Sequence, residues 1–133
     1  MDNVWKYKIA ISDVCVFDEI EKERQIKFPE ELKKFIMEYN AATPTKYKFM
    51  IGVTEKVLGA VLCFNRGEED VDSVFSALCV VKDNNLLPFA IDSFGNYICY
   101  ELSKREIVFL EHETEVVVSS QKELYDFINS LYE

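Results

Sequence analysis

Apolar positions recur at helical spacing near both ends of this chain and at shorter, strand-like spacing through its middle. A first helix is expected after Ser12 or Asp13, carrying Val16, Phe17 and Ile20 ahead of the charged stretch Glu21-Lys22-Glu23-Arg24. A second is clearer, because Leu32, Phe35, Ile36 and Tyr39 fall at i, i+3, i+4 and i+7. Pro29 suits its first helical position, Glu30 and Glu31 complement the positive end of the dipole, Asn40 can end it, and Pro44 forbids continuation. The period then changes. Residues 47–53 and 60–64 read as strands, punctuated by Gly52, Gly59 and Gly67. Val71, Val74, Phe75, Leu78 and Val81 return to helical spacing over 70–81, with Asp70 as N-cap. Four strands follow in quick succession, over 86–92, 96–102, 107–111 and 115–118. Ser93-Phe94-Gly95-Asn96 makes a tight turn between the first two, Gly95 being free to take positive φ, and Ser103-Lys104-Arg105 makes the next. Ser120 and Glu123 form a capping box for a closing helix with the stripe Leu124, Phe127, Ile128 and Leu131. Helices, an antiparallel meander and a closing helix make an α+β fold.

Composition confines the function without choosing it. With 49% hydrophobic and 29% charged residues, this is a globular chain rather than a disordered tail. Its 133 residues suit a single domain spanning 1–133, large enough to bury a core without disulfide staples. Only 4 glycines and 3 prolines leave little room for a long linker. Lysine and arginine number 15 against 24 aspartates and glutamates, a net charge of −9. That balance opposes direct contact with nucleic acid or an anionic membrane and leaves a basic protein partner open. The first residues lack a basic segment leading into an apolar run, since Ser12-Asp13 interrupts Ile9-Ala10-Ile11, so no secretory signal is expected. The longest apolar run, 57–64, is far short of the roughly 20 residues a membrane helix needs. Cys15, Cys63, Cys79 and Cys99 are scattered without a CxxC pair, which fits reduced, mostly buried thiols and a cytoplasmic setting.

Catalytic chemistry finds little to work with. His112 is the one histidine, flanked by Glu111 and Glu113 just after a strand, and reads as a surface or edge residue rather than a base or metal ligand. No G-x-S-x-G is present, and no second histidine completes a relay. Glu68-Glu69-Asp70-Val71-Asp72 and Asp92-Ser93-Phe94-Gly95-Asn96 lack the ligand alternation and closing glutamate of a calcium loop, so no metal or cofactor is expected. Trp5-Lys6-Tyr7-Lys8 and Lys46-Tyr47-Lys48-Phe49 interleave aromatics with lysines; within so acidic a chain the simpler reading is one buried strand face.

Three segments resemble the SUKH superfamily, whose members include the yeast cell-wall assembly regulator and many bacterial toxin-immunity proteins. Phe28-Pro29-Glu30-Glu31-Leu32-Lys33-Lys34-Phe35, running into Tyr39-Asn40, is similar to its early hydrophobic-Pro-x-x-hydrophobic helix. Leu86-Leu87-Pro88-Phe89-Ala90-Ile91-Asp92-Ser93-Phe94-Gly95-Asn96 resembles its central signature. Ile107-Val108-Phe109-Leu110-Glu111-His112-Glu113 and the closing helix resemble its end, while residues 65–83 match only as an acidic loop and helix. The resemblance implies a curved, mainly antiparallel sheet flanked by N-terminal helices, a middle helix and a C-terminal helix. It marks Pro88, Asp92 and Gly95 as fold determinants and implies no catalytic site.

For bacterial members the resemblance implies an immunity protein that neutralises the toxic C-terminal domain of a secreted polymorphic toxin, often a nuclease. A nuclease grips phosphates with basic groups, so an acidic inhibitor could occupy that surface. Glu68, Glu69, Asp70 and Asp72 are therefore the expected toxin-facing residues, with Glu111, Glu113 and Glu115 as second choice. Both groups being simply solvated is the competing reading. The other functional class is an intracellular regulator or scaffold without a toxin partner. The free protein is expected to be a monomer.

Overall fold

In the computed structural model, which describes residues 2–133, the chain opens with a two-residue strand, β1 (Trp5–Lys6). Helix α1 (Cys15–Arg24) buries Val16, Phe17 and Ile20 and ends at Gln25, whose left-handed backbone returns its N–H to the Glu21 carbonyl. The Glu21 carboxylate accepts the Phe28 N–H at 2.7 Å and so fixes the entry to α2 (Glu30–Tyr39). Pro29 is the N-cap of α2, one position before the helical place expected for it. Beyond α2, the buried side chain of Asn40 donates to the Ile9 carbonyl at 2.9 Å and accepts the Phe64 N–H at 2.7 Å, joining three segments distant in sequence.

The next stretch departs from expectation. Strand β2 (Thr43–Pro44) pairs with β1. The strand expected over 47–53 is instead a hairpin, β3 (Lys48–Ile51) with β4 (Thr54–Val57). Gly52 takes a φ of 59° there, matching the glycine-first pattern of a type II′ turn. Strand β5 (Ala60–Val61) is shorter than expected because Cys63 leaves the ladder for a parallel bridge to Ser73. That bridge also shortens the middle helix to α3 (Val74–Val80). Asp70 is not its cap: it lies in the left-handed region at φ 62°, and the Ser73 hydroxyl accepts the Phe75 N–H instead.

Strands β6 (Leu86–Ile91), β7 (Tyr97–Glu101), β8 (Glu106–Leu110) and β9 (Val117–Ser119) complete an antiparallel sheet of order β5-β6-β7-β8-β9. Pro88 sits where the β6 register shifts, which is where an inner strand tolerates a residue without an N–H. The capping box does not form. Ser120 still belongs to the sheet, bonding the Ile107 carbonyl through both its N–H (2.9 Å) and its hydroxyl (2.6 Å). Helix α4 (Leu124–Asn129) starts without a side-chain cap and buries Leu124 and Phe127, while Leu131 packs inward just past its end. The architecture is α+β, mainly antiparallel.

Register assigns the two faces of the large sheet. Leu87, Tyr100 and Ile107 share one face with Ala90, Ile98, Phe109 and Val118. That face meets α2, α4 and the β3–β4 hairpin: Phe89 packs edge-on to Phe35, and Phe49 bridges Phe109 and Phe127. The opposite face carries Pro88, Cys99 and Val108, then Ile91, Tyr97, Leu110 and Val117, and α3 lies against its β6 side. Buried Arg24 ties α1 to α3, donating to the carbonyls of Leu78 (3.2 Å) and Asp83 (2.9 Å). The two lysine-aromatic motifs divide: Trp5 and Phe49 pack inward, whereas Tyr7 and Tyr47 are exposed. The cysteines divide as well, Cys63 and Cys99 buried, Cys15 and Cys79 exposed, because the latter two fall on outward helix positions.

Asp92 organises the β6–β7 turn. Its Oδ1 accepts the N–H groups of Phe94 (2.8 Å) and Asn96 (2.9 Å), and its Oδ2 accepts the Asn96 side-chain amide (3.0 Å), while Gly95 takes a φ of 85°. Removing a buried charged acceptor leaves these donors unpaired, so Asp92→Ala is expected to lose about 2–3 kcal/mol in chemical denaturation, and Asp92→Asn less. Thiol modification of Cys15 in the native protein at mildly alkaline pH is expected to speed up when Asp13 is replaced by alanine. A hydrogen bond to Asp13 and that carboxylate's charge raise the Cys15 pKa and deplete its thiolate. Cys63 and Cys99 are expected to react only on unfolding; burial pushes the Cys99 thiol far up.

Candidate functional site

The loop between β5 and α3 carries Glu68, Glu69, Asp70 and Asp72, all exposed. Both its ends are anchored. The Asn65 side chain donates to the Ala10 carbonyl at 2.8 Å and accepts the Ser12 N–H at 2.9 Å. At the far end, Cys63 N–H donates to the Asp72 carbonyl at 2.8 Å and Val74 N–H to the Cys63 carbonyl at 3.0 Å. Arg66, the nearest cation in sequence, pairs with Glu19 at 3.1 Å and lies over the Phe75 ring rather than pairing with any of the four carboxylates. The other ion pairs among the described residues, Arg105–Glu31 and His112–Glu113, leave these four unneutralised as well.

The second acidic group, Glu111, Glu113 and Glu115, lies in the β8–β9 connection. That connection is positioned by the turn before it. Asn96, with its side-chain amide donated to Asp92, presents Oδ1 to the His112 N–H at 3.1 Å and to His112 Nδ1 at 2.9 Å. Since Oδ1 is an acceptor, Nδ1 carries the proton in this contact. His112 is thus a turn residue held by Asn96. A tight Glu111–Val116 closure follows, with Glu111 N–H to the Val116 carbonyl at 3.0 Å and Glu115 in the left-handed region at φ 60°.

Tyr97 lies on the sheet face opposite α2, and burial first, then the Asp72 charge, raise its pKa. Tyr97 is the register partner of Leu110, the residue that leads into Glu111. Between α3 and β9 on this face runs a cleft of about 510 Å³, with Leu86, Leu110 and Val117 along it and Glu115 at its rim. Val80 on α3 (51% exposed) and Val117 (42%) leave apolar surface open along it, while Val118 (42%) is exposed on the opposite face of β9. Lys82 also lines this cleft, next to Asp83; five other lysines, Lys6, Lys8, Lys46, Lys48 and Lys56, belong to the β1–β4 region, whose hairpin packs on the other face.

The carboxylates are visible in the sequence as acidic runs; the exposed valines of the edge strand were not among the expected site residues. The run Val116-Val117-Val118 carried the signal, since three consecutive apolar residues in an edge strand cannot all point inward. Among the described residues, no group of histidine, cysteine or carboxylate side chains has the arrangement of a metal cage. Likewise, no helix there is long and apolar enough to cross a membrane.

The SUKH_6 family model, described as SMI1-KNR4 cell-wall, matches residues 17–128. No curated protein matches the chain. The family match runs from α1 through the acidic loop, the Asp92 turn and α4, and on it the chain belongs to the SUKH superfamily.

Proposed function

We propose that this protein is a cytoplasmic immunity protein, acting as one unit over 1–133. It binds and neutralises the toxic C-terminal domain, a nuclease, of a cognate secreted polymorphic toxin. It works by occlusion, without a catalytic residue, metal or cofactor, and is a monomer when free. Proteins of this family are generally non-catalytic immunity or regulatory proteins, and toxin-partner binding is associated with the family generally. The observation that carries the proposal is the group of unneutralised carboxylates, Glu68, Glu69, Asp70 and Asp72, held out on a loop anchored at both ends. Anchoring matters because an ordered loop loses little entropy on binding. Its charges, backed by a net −9, steer a basic domain toward this side and suppress contact with nucleic acid itself.

Co-expression with a secreted-toxin C-terminal domain encoded directly upstream is expected to rescue growth and yield a stable complex. Converting Glu68, Glu69, Asp70 and Asp72 together to lysine is expected to slow association about tenfold or more at low salt and to flatten its salt dependence. Affinity and salt slope both unchanged would remove these residues from the interface, and Glu111, Glu113 and Glu115 would then be the acidic group to replace. If no toxin gene neighbours this one and no such toxin affects growth, the regulatory or scaffold function takes its place.

A further inference from the structure

Strand β9 is the outer edge of the five-stranded sheet. Its hydrogen-bond parity follows from its flanks: the Val116 carbonyl accepts from Glu111 N–H, and Ser120 N–H donates to the Ile107 carbonyl. Residues 116, 118 and 120 therefore direct their backbone groups into the sheet. Val117 and Ser119 direct theirs outward, two N–H donors and two carbonyl acceptors spaced as an incoming strand requires. Natural edges are commonly guarded by lysine, proline or a bulge. This one has none within β9; it carries Val117 and Val118, and Val80 of α3 stands across the cleft from Val117.

We infer that this edge accepts an extended, cationic segment of the protein partner as a sixth strand, paired to Val117 and Ser119, with alternate apolar side chains entering the cleft between α3 and β9. The inference deepens the immunity reading and rests on it for the identity of the partner. Charge selects the occupant. Glu111, Glu113 and Glu115 precede the strand, Glu106 bonds the Ser119 hydroxyl at its end, and Glu123 follows, against Lys122 beside the strand and Lys82, which lines the cleft next to Asp83. A second copy of this chain would bring another −9 and the same acidic turns to the edge, which opposes self-pairing. A lysine-bearing strand meets the opposite sign at both ends.

The probe is acetyl-Lys-Val-Lys-Val-Lys-Val-Lys-amide, added to the isotopically labelled full chain and followed by amide hydrogen exchange. Exchange at Val117 and Ser119 is expected to slow about tenfold or more, while Val118, already bonded within the sheet, changes little. The same peptide with glutamate for lysine is expected to leave both amides unchanged. Val117→Pro removes an outward donor where an edge strand tolerates proline, and Val117→Lys adds a like charge; both are expected to abolish the protection. Absence of protection at Val117 and Ser119 in the unmodified chain would overturn the inference without recourse to any variant. So would undiminished peptide binding by the folded variants, or a dimer of the unmodified chain that Val117→Pro dissolves. The toxin assay separates the two claims. If Val117→Pro still binds and neutralises the upstream toxin, strand addition fails and immunity stands. If the peptide docks but the unmodified chain neutralises no such toxin, the edge site stands and immunity fails.

Discussion

A five-stranded sheet has two apolar faces to cover, and the rest of this structure depends on what covers each and on the edge strand β9 that is left half open. One face meets α2, α4 and the β3–β4 hairpin, and its inner residues Ile98 and Tyr100 are almost wholly buried. The other depends on α3, a helix of seven residues. Arg24 and the Cys63–Ser73 bridge hold that helix toward the β6 side; Cys99 and Val108 on this face are still buried, and exposure begins at β9 with Val117. Burying an aliphatic side chain fully is worth about 1.5–3 kcal/mol, and the valines at this margin forgo much of that. Val80 and Val117, exposed along one cleft, are the kind of surface that a partner completes.

The same short helix explains where the acidic loop lies. Because α3 begins only at Val74, the residues before it form an anchored loop rather than another helical turn. Glu68, Glu69, Asp70 and Asp72 are then carried, exposed, on the segment that leads into α3. The Asp92 turn performs a parallel task for the other acidic segment. Asp92 holds Asn96, Asn96 holds His112, and His112 sets the turn that carries Glu111, Glu113 and Glu115. A carboxylate inside the fold thereby positions carboxylates outside it.

Legibility tracked the range of the interaction involved. Amphipathic spacing in α2 and the succession of strands from Leu86 onward are local patterns, and the structure contains those elements with small shifts at their ends. Asp70 and Ser120 show where local pattern fails. Each has the chemistry of a helix cap, but tertiary pairing claims the backbone first: the Cys63 bridge delays α3, and the sheet extends through Ser120. Asn40 joining Ile9 to Phe64, and Arg24 joining α1 to α3, depend on partners no periodicity encodes. At the candidate site the charges were legible, because acidic runs are visible in any fold. That Glu115 shares a cleft with Val80 and Val117 was not, since it depends on which strand becomes the edge.

The central claim is that the side of the sheet only partly covered by α3, together with its acidic margins, meets the partner. Hydrogen exchange of the co-purified complex with the upstream toxin domain measures this most directly. The account predicts new protection across residues 66–74 and 111–119, with the lysine-rich segments 5–8 and 46–57 unchanged. Protection confined to those lysine-rich segments, with the acidic side exchanging as in the free protein, would contradict it.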